Sequence, residues 1–317
     1  MLSRIAESLY WIGRYLERAD NTARILEVEV QTNLENPPKG FKGKTRWSSN
    51  GNSSSAPSVR SAIVEAEYLA ELSLSLGHPT SILSSIVAAR ENARGAREII
   101  SSELWECLNV TQNQMMLSRF QGDVLSLHQF FQFTQLAKER VALAYGIVES
   151  TMTRDDAWHF FSIGVLIERI DMTVRLIGTR DLDSEDVFGW ITTLKSCSAY
   201  QAFIRAYGGV GMDRRSVLEF LVLDRGFPRS IYFALDGVGT ALKALIDGNQ
   251  STLRRDLSFR LLGKLKGDVE YLESEDLSTR LSVHLNRIQM GTGELSNAIS
   301  SRFFHQDEPQ QWRIERN

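Results

Sequence analysis

Hydrophobic and polar residues alternate with helical spacing from the start of the chain. Leu2, Ile5, Leu9, Ile12, Leu16, Ala19, Ala23, Leu26 and Val30 recur three and four apart, a seam sustained for about four heptads. The spacing predicts a helix from about Ser3 to Asn33, roughly 45 Å long at 1.5 Å per residue. No proline lies between Pro79 and Pro228, and that stretch is rich in Leu, Ala, Glu and Arg. Alternating strand patterns bounded by Asn-Gly or Asp-Gly turns are not evident. The expected fold class is therefore all-α. Further helices are expected over about 60–76, 80–108, 123–150, 155–180, 185–208, 213–223, 229–247, 250–274 and 278–303. So many helices favour a multi-helix bundle over an isolated coiled coil.

Residues 35–59 are Pro/Gly/Ser-rich with almost no aliphatic side chain, and read as a long mobile loop between helices. Thr153, three residues before Asp156, resembles a capping box in which Asp stands in for Glu or Gln. The polar stretch 305–317 reads as a frayed tail.

The pattern also repeats. Residues 9–26, LYWIGRYLERADNTARIL, align with 160–177, FFSIGVLIERIDMTVRLI. Ile12, Gly13, Glu17, Arg18, Asp20, Thr22 and Arg24 meet Ile163, Gly164, Glu168, Arg169, Asp171, Thr173 and Arg175. At nearly the same offset, Leu72–Ile82 parallels Leu221–Ile231, with Pro79-Thr-Ser-Ile over Pro228-Arg-Ser-Ile. Two ordered matches predict a duplicated unit, with repeats over 1–150 and 151–304 packed around a pseudo-two-fold axis.

On a helical wheel Gly13, Glu17, Asp20 and Arg24 share one flank of the seam, while Arg18 and Thr22 fall on the other. Glu17 and Arg18 then point about 100° apart, so each is expected to meet a different neighbouring helix. Gly13, one turn before Glu17, would let a backbone or a ligand come close. Two readings of the repeated Glu-Arg pair compete. In one, Glu17 pairs with an arginine of the other half and Glu168 does the reverse, locking register. In the other, both sets line a central pocket where arginines grip carboxylate or phosphate and a glutamate holds an amine or acts as a base.

The segment AARENARGAREIISSELWE places Arg90, Arg94 and Arg97 on one stripe. Its counterpart GTALKALI replaces Arg90, Glu91 and Asn92 by Gly239, Thr240 and Ala241. Residues absent from one copy are not demanded by symmetric packing, so they are candidates for function beside the plainer reading of a solvated charged face. Trp11, Tyr15, Trp105, Trp158 and Phe160–Phe161 are expected to fill core or interface.

Composition narrows the function classes. Lys+Arg 36 against Asp+Glu 39 leaves a net charge of −3, so no bulk basic field draws the chain to nucleic acid or anionic lipid. Two cysteines, Cys107 and Cys197, exclude a disulfide scaffold and a cysteine-based zinc cluster, and five scattered histidines lack ligand spacing, so no metal is expected. No apolar run approaches the ~18 residues that span a membrane, and Arg4 and Glu7 interrupt any signal-peptide pattern, so a soluble cytoplasmic protein is expected. No P-loop, GxGxxG, HExxH or GxSxG occurs, and no cofactor is expected.

SRIAESLYWIGRYLERADNTARIL closely resembles the opening of the alpha-E family, named for a repeated Glu-Arg motif, and TRDDAWHFFSIGVLIERIDMTVRLI resembles its second Glu-Arg segment. ILSSIVAARENARGAREIISSELWECLN and FPRSIYFAL also resemble blocks of that family, so the resemblance covers essentially the whole chain as a single domain. One departure is that Gly13 is followed by Arg14 whereas Gly164 is followed by Val165. The resemblance implies association with a circularly permuted ATP-grasp ligase, and often a transglutaminase-like peptidase, in a system that makes or modifies peptide or amide bonds. The expected role is a non-catalytic partner of that ligase that helps bind an anionic peptide or amino-acid substrate. An alternative is an enzyme in its own right with Glu17 or Glu168 as base; a scaffold is a third. The candidate substrate- or partner-binding residues are Arg18, Arg24, Arg90, Glu91, Asn92, Arg94, Arg169 and Arg175.

Overall fold

The computed structural model describes residues 1–35, 59–118, 125–179, 187–208, 212–246, 253 and 255–304. The loop expected over 35–59, its two end residues apart, and the tail expected over 305–317 lie outside them. Among the described residues there are thirteen helices and no strand. They are α1 (Ser3–Glu35), α2 (Val59–Leu74), α3 (Ile82–Gly95), α4 (Ser102–Leu117), α5 (Leu127–Thr151), α6 (Asp156–Gly178) and α7 (Val187–Ser196). After these come α8 (Tyr200–Tyr207), α9 (Arg214–Leu223), α10 (Ile231–Leu245), α11 (Leu257–Glu270), α12 (Ser274–Thr279) and α13 (Leu281–Phe303).

The seam of α1 is buried from Ile5 to Val30, whereas Leu2 is exposed ahead of the helix. Ala6, Tyr10, Gly13, Glu17, Asp20, Asn21 and Thr22 are buried as well. The covered face is thus much wider than a coiled-coil seam, because α1 packs against α3, α5, α6, α7 and α13 at once. α6 packs against α1, α10 and α13, so the two longest-matched segments of the sequence lie against each other in the middle of the bundle.

Several helix boundaries differ from expectation, each for a local reason. The helix expected over 80–108 is two. α3 ends at Gly95, where the Ala96 amide bonds back to Asn92 and Ala93, and Ser101 then caps α4 by accepting from the Leu104 amide. The segment 185–208 breaks at Ser198, whose φ of 53° lies in the left-handed region. The helix expected over 278–303 begins at Leu281, with α12 a separate short helix before it. Thr153 caps nothing: Asp155 is the N-cap of α6, accepting from the Ala157 and Trp158 amides, and the capping box lies instead at Ser126 and Gln129 before α5.

The turns entering α3 and α10 make the same set of bonds. Ser75 Oγ accepts from the Gly77 and His78 amides; Asp224 Oδ1 accepts from the Gly226 and Phe227 amides. Ser81 and Ser230 cap their helices and donate back to the carbonyls of Ser75 and Asp224 respectively. Thr22 of α1 reaches the Thr80 carbonyl at 3.4 Å, and Thr173 of α6 reaches the Arg229 carbonyl at 3.5 Å.

Candidate functional site

The crossing of α1 and α6 is set by two glycines. A Cβ on Gly13 would collide with the Phe161 carbonyl, and one on Gly164 would collide with the Tyr10 carbonyl. Backbone meets backbone there, which only glycine permits. Contacting positions keep a nearly constant offset along the two helices (10 with 164, 13 with 161 and 165, 17 with 169, 18 with 168), so the helices run in the same direction past each other.

One turn beyond the glycines the two Glu-Arg pairs engage each other. Arg169 grips Glu17 bidentately, Nε to Oε1 at 2.9 Å and Nη2 to Oε2 at 2.8 Å. Arg18 grips Glu168 in the same way, Nε to Oε1 at 2.6 Å and Nη2 to Oε2 at 3.0 Å. Both carboxylates are inaccessible, Glu17 at 0% and Glu168 at 1% exposure. Such planar forks are the strong form of the charge-assisted hydrogen bond. The expectation that Glu17 and Arg18 meet different helices does not hold. Both meet α6, because the close crossing lets α1 reach around either side of it.

Each carboxylate has a second arginine, and the two come from unrelated positions. Glu168 receives Arg14 Nε at 2.7 Å. Glu17 receives Arg229 Nη1 at 3.0 Å, from the turn before α10. Arg14 aligns with Val165, and Arg229 with Thr80. Around Glu17 the network continues: the Tyr145 hydroxyl donates to Oε2 at 2.8 Å and Asn21 Nδ2 to Oε1 at 3.1 Å. Arg229 also donates to Asn21 Oδ1 at 2.5 Å and to Asp20 Oδ2 at 2.6 Å, and Arg24 joins through Asp20 at 2.8 Å and the Ser198 hydroxyl at 2.7 Å.

Burial alone would push the Glu17 carboxyl up. The guanidiniums of Arg169 and Arg229, with the hydrogen bonds of Arg169 and Tyr145, outweigh it and hold the group well below the usual carboxylate range. Burial and the adjacent Glu17 charge push the Tyr145 phenol well above its usual value. Desolvation opposes the charge on Arg169 and Arg229, but the facing carboxylates win and both are raised.

The remaining sequence candidates sit elsewhere. Arg90 donates to Asn109 at 2.8 Å and pairs with Glu91 at 2.5 Å; Arg94 pairs with Glu91 at 3.1 Å; Asn92 bonds to the Ala88 carbonyl. Arg90 and Arg97 both lie over the Trp105 ring. These residues therefore form a partly solvated surface cluster of α3 and α4, separate in its bonds from Glu17 and Glu168. Arg175 pairs with Asp171 on its own helix. Of the aromatics, Phe160 and Phe161 are buried, and Trp11, Tyr15, Trp105 and Trp158 pack half-buried against the core. A groove of about 410 Å³ between α11 and α13, lined by Leu261, Lys264, Leu265, Arg287 and Met290 among others, shares no residue with the network. Among the described residues no group of three His, Cys, Asp or Glu is placed to hold a metal ion, and no helix is long and apolar enough to cross a membrane.

Sequence reasoning did not place Arg14, Asn21, Tyr145 or Arg229 in the site. A usable signal existed for three of them. Arg14 and Asn21 align with the apolar Val165 and Met172, and Arg229 aligns with the uncharged Thr80, the same asymmetry that drew attention to Arg90. Tyr145 carries no such mark, since it lies outside both aligned blocks.

Fold and site together define a class: an all-helical bundle whose two central helices are joined by reciprocal buried Glu-Arg pairs. The chain belongs to the alpha-E family, described as a predicted alpha-helical domain with a conserved ER motif, which matches residues 1–304. Uncharacterised proteins of Mycobacterium bovis and Mycobacterium tuberculosis are each 22% identical to it over 333 aligned positions, covering 94% of this chain and 36% of the relative. The chain thus spans about a third of the length of the curated relatives it matches. No solved structure is significantly similar to it.

Proposed function

We propose that the protein is a non-catalytic helical partner of a circularly permuted ATP-grasp ligase, in a system that forms or modifies peptide or amide bonds, and that it helps hold an anionic peptide or amino-acid substrate. The observation that carries this reading is the state of the motif glutamates. A general base needs a reachable lone pair and a pKa near the working pH. Glu17 and Glu168 are buried and bonded through both oxygens to arginines, and Glu17 is held strongly ionised. The Glu-Arg motif then works as a strut that fixes how the central helices cross, and function falls to surfaces around it. The greater length of the mycobacterial relatives supports a module that acts beside other domains.

The reading includes two repeats, 1–150 and 151–304, about a pseudo-two-fold axis. The reciprocal pairs Glu17–Arg169 and Glu168–Arg18 and the matched turns before α3 and α10 support it.

The test is co-expression of the full chain with its ATP-grasp ligase. Co-purification, and ligase turnover that rises when the protein is added, is the expected result. No co-purification together with unchanged turnover overturns the proposal. If Glu17→Gln or Glu168→Gln folds normally yet abolishes pathway output, the protein is instead an enzyme in its own right.

A further inference from the structure

The two flanks of the α1–α6 crossing differ in how fully their guanidinium groups are engaged. On the Glu17 flank, Arg169 uses Nε and Nη2 on Glu17 and Nη1 on the Pro228 carbonyl. Arg229 divides Nη1 and Nη2 among Glu17, Asn21 and Asp20. On the Glu168 flank, Arg18 donates through Nε and Nη2, while Arg14 donates through Nε and makes a long 3.4 Å bond from Nη1 to the Tyr10 hydroxyl. Arg14 Nη2 and Arg18 Nη1 have no partner among the described residues.

The Glu168 flank is also short of negative charge, as is the Glu17 flank, where Arg24, Arg169 and Arg229 face Glu17 and Asp20. Two guanidiniums share the single carboxylate of Glu168, leaving this half-buried cluster one negative charge short. Asp171 acts on Arg14 through space, but it is bonded to Arg175 at 2.9 Å and adds no net negative charge. Charges at low exposure are ordinarily matched by an opposite charge, since the uncompensated group loses hydration without recompense. Packing does not demand the extra arginine either, because the aligned position on α6 is Val165, buried and apolar.

The surroundings are built to hold the two forks still. Trp11 and Tyr15 stack with ring centres 5.4 Å apart, Arg14 lies 5.3 Å from the Trp11 ring, and Arg18 lies 5.4 Å from the Tyr15 ring. All four side chains are only partly buried, so their outer edges meet solvent. A guanidinium pinned between a carboxylate and an aromatic face has little rotamer freedom left to lose on binding.

We propose that Arg14 and Arg18, backed by Glu168 and framed by Trp11 and Tyr15, bind an oxyanion, the carboxylate or phosphate of an otherwise apolar or peptide-like ligand. The site names where the anionic group of the accessory reading would sit, and it rests on that reading only for the origin of the ligand.

The experiment titrates the full-length protein with inorganic phosphate and, separately, with N-acetylglycine, balancing ionic strength with sodium chloride. Thermal midpoint and tryptophan fluorescence are read together, in wild type, Arg14→Gln, Arg14→Lys and a control, Arg215→Gln, at an exposed arginine of α9 that pairs with Glu219. The expected result is a saturable rise in midpoint with at least one anion. Arg14→Gln should weaken the apparent affinity at least tenfold, Arg14→Lys several-fold, and Arg215→Gln not at all. Response to phosphate alone identifies a phosphate ligand; response to N-acetylglycine alone identifies a carboxylate. No saturable response to either anion overturns the proposal, as does an unchanged affinity in Arg14→Gln. Should Arg14→Gln fold poorly, unchanged affinity in Arg14→Lys overturns it, because the lysine keeps the charge but lacks the fork. Failure here with ligase co-purification intact removes this site and leaves the accessory role standing.

Discussion

Replacing Glu17 by glutamine keeps the side-chain volume and removes the charge that balances Arg169 and Arg229. Glu17 accepts five hydrogen bonds, from Asn21, Tyr145, Arg229 and twice from Arg169, whereas Glu168 accepts three. Asp20 still holds Arg229 at 2.6 Å after the change, so the loss falls mainly on Arg169. Breaking a buried ion pair by altering one partner costs about 3–5 kcal/mol. With an unfolding entropy of ~2.1 cal/mol/K per residue, a chain of this size should unfold about 5–8 °C lower by differential scanning calorimetry at neutral pH. Glu168→Gln should cost less, since Arg14 and Arg18 keep their aromatic supports and reach solvent. The pH dependence carries the sign of the effect. A carboxyl whose folded pKa is depressed contributes its full stability above its unfolded pKa and loses it as pH falls toward the folded value. The gap between wild type and Glu17→Gln should therefore stay constant down to about pH 5 and narrow below about pH 4. A midpoint unchanged or raised by Glu17→Gln, or a larger drop for Glu168→Gln, would refute the view of this pair as the principal strut.

Two further substitutions probe the same crossing. Gly13→Ala and Gly164→Ala each drive a methyl into the backbone of the facing helix, which cannot rotate away, and each should destabilise by about 1–3 kcal/mol or more in urea unfolding. Tyr145→Phe removes the 2.8 Å bond to Glu17 and should cost about 1.5–3 kcal/mol, while Tyr145→Phe in a Glu17→Gln background should cost clearly less, a coupling that a double-mutant cycle measures.

Much of this architecture can be read from local pattern. The period of apolar residues and the missing prolines establish an all-helical chain, and the seam of α1 is buried as its spacing implies. Local caps escaped that reading: Ser101 starts a new helix inside a stretch whose periodicity never falters, since a single side-chain bond at a helix start outweighs weak propensity differences. The wheel position of Gly13 foretold a close approach, and a backbone does make it.

The amino-acid sequence by itself determined the helical class, the long first helix and the paired Glu-Arg motifs, because each depends on neighbours within a few residues. Only the tertiary structure decided which arginine meets which glutamate. Arg229 reaches Glu17 across 212 positions of chain and Tyr145 across 128, contacts that exist because α5 and the turn before α10 pack beside the crossing of α1 and α6. Residue spacing constrains a helix face, but a buried charge is satisfied by whatever the packing of other helices brings to it. That is a property of the crossing and not of either strand of sequence.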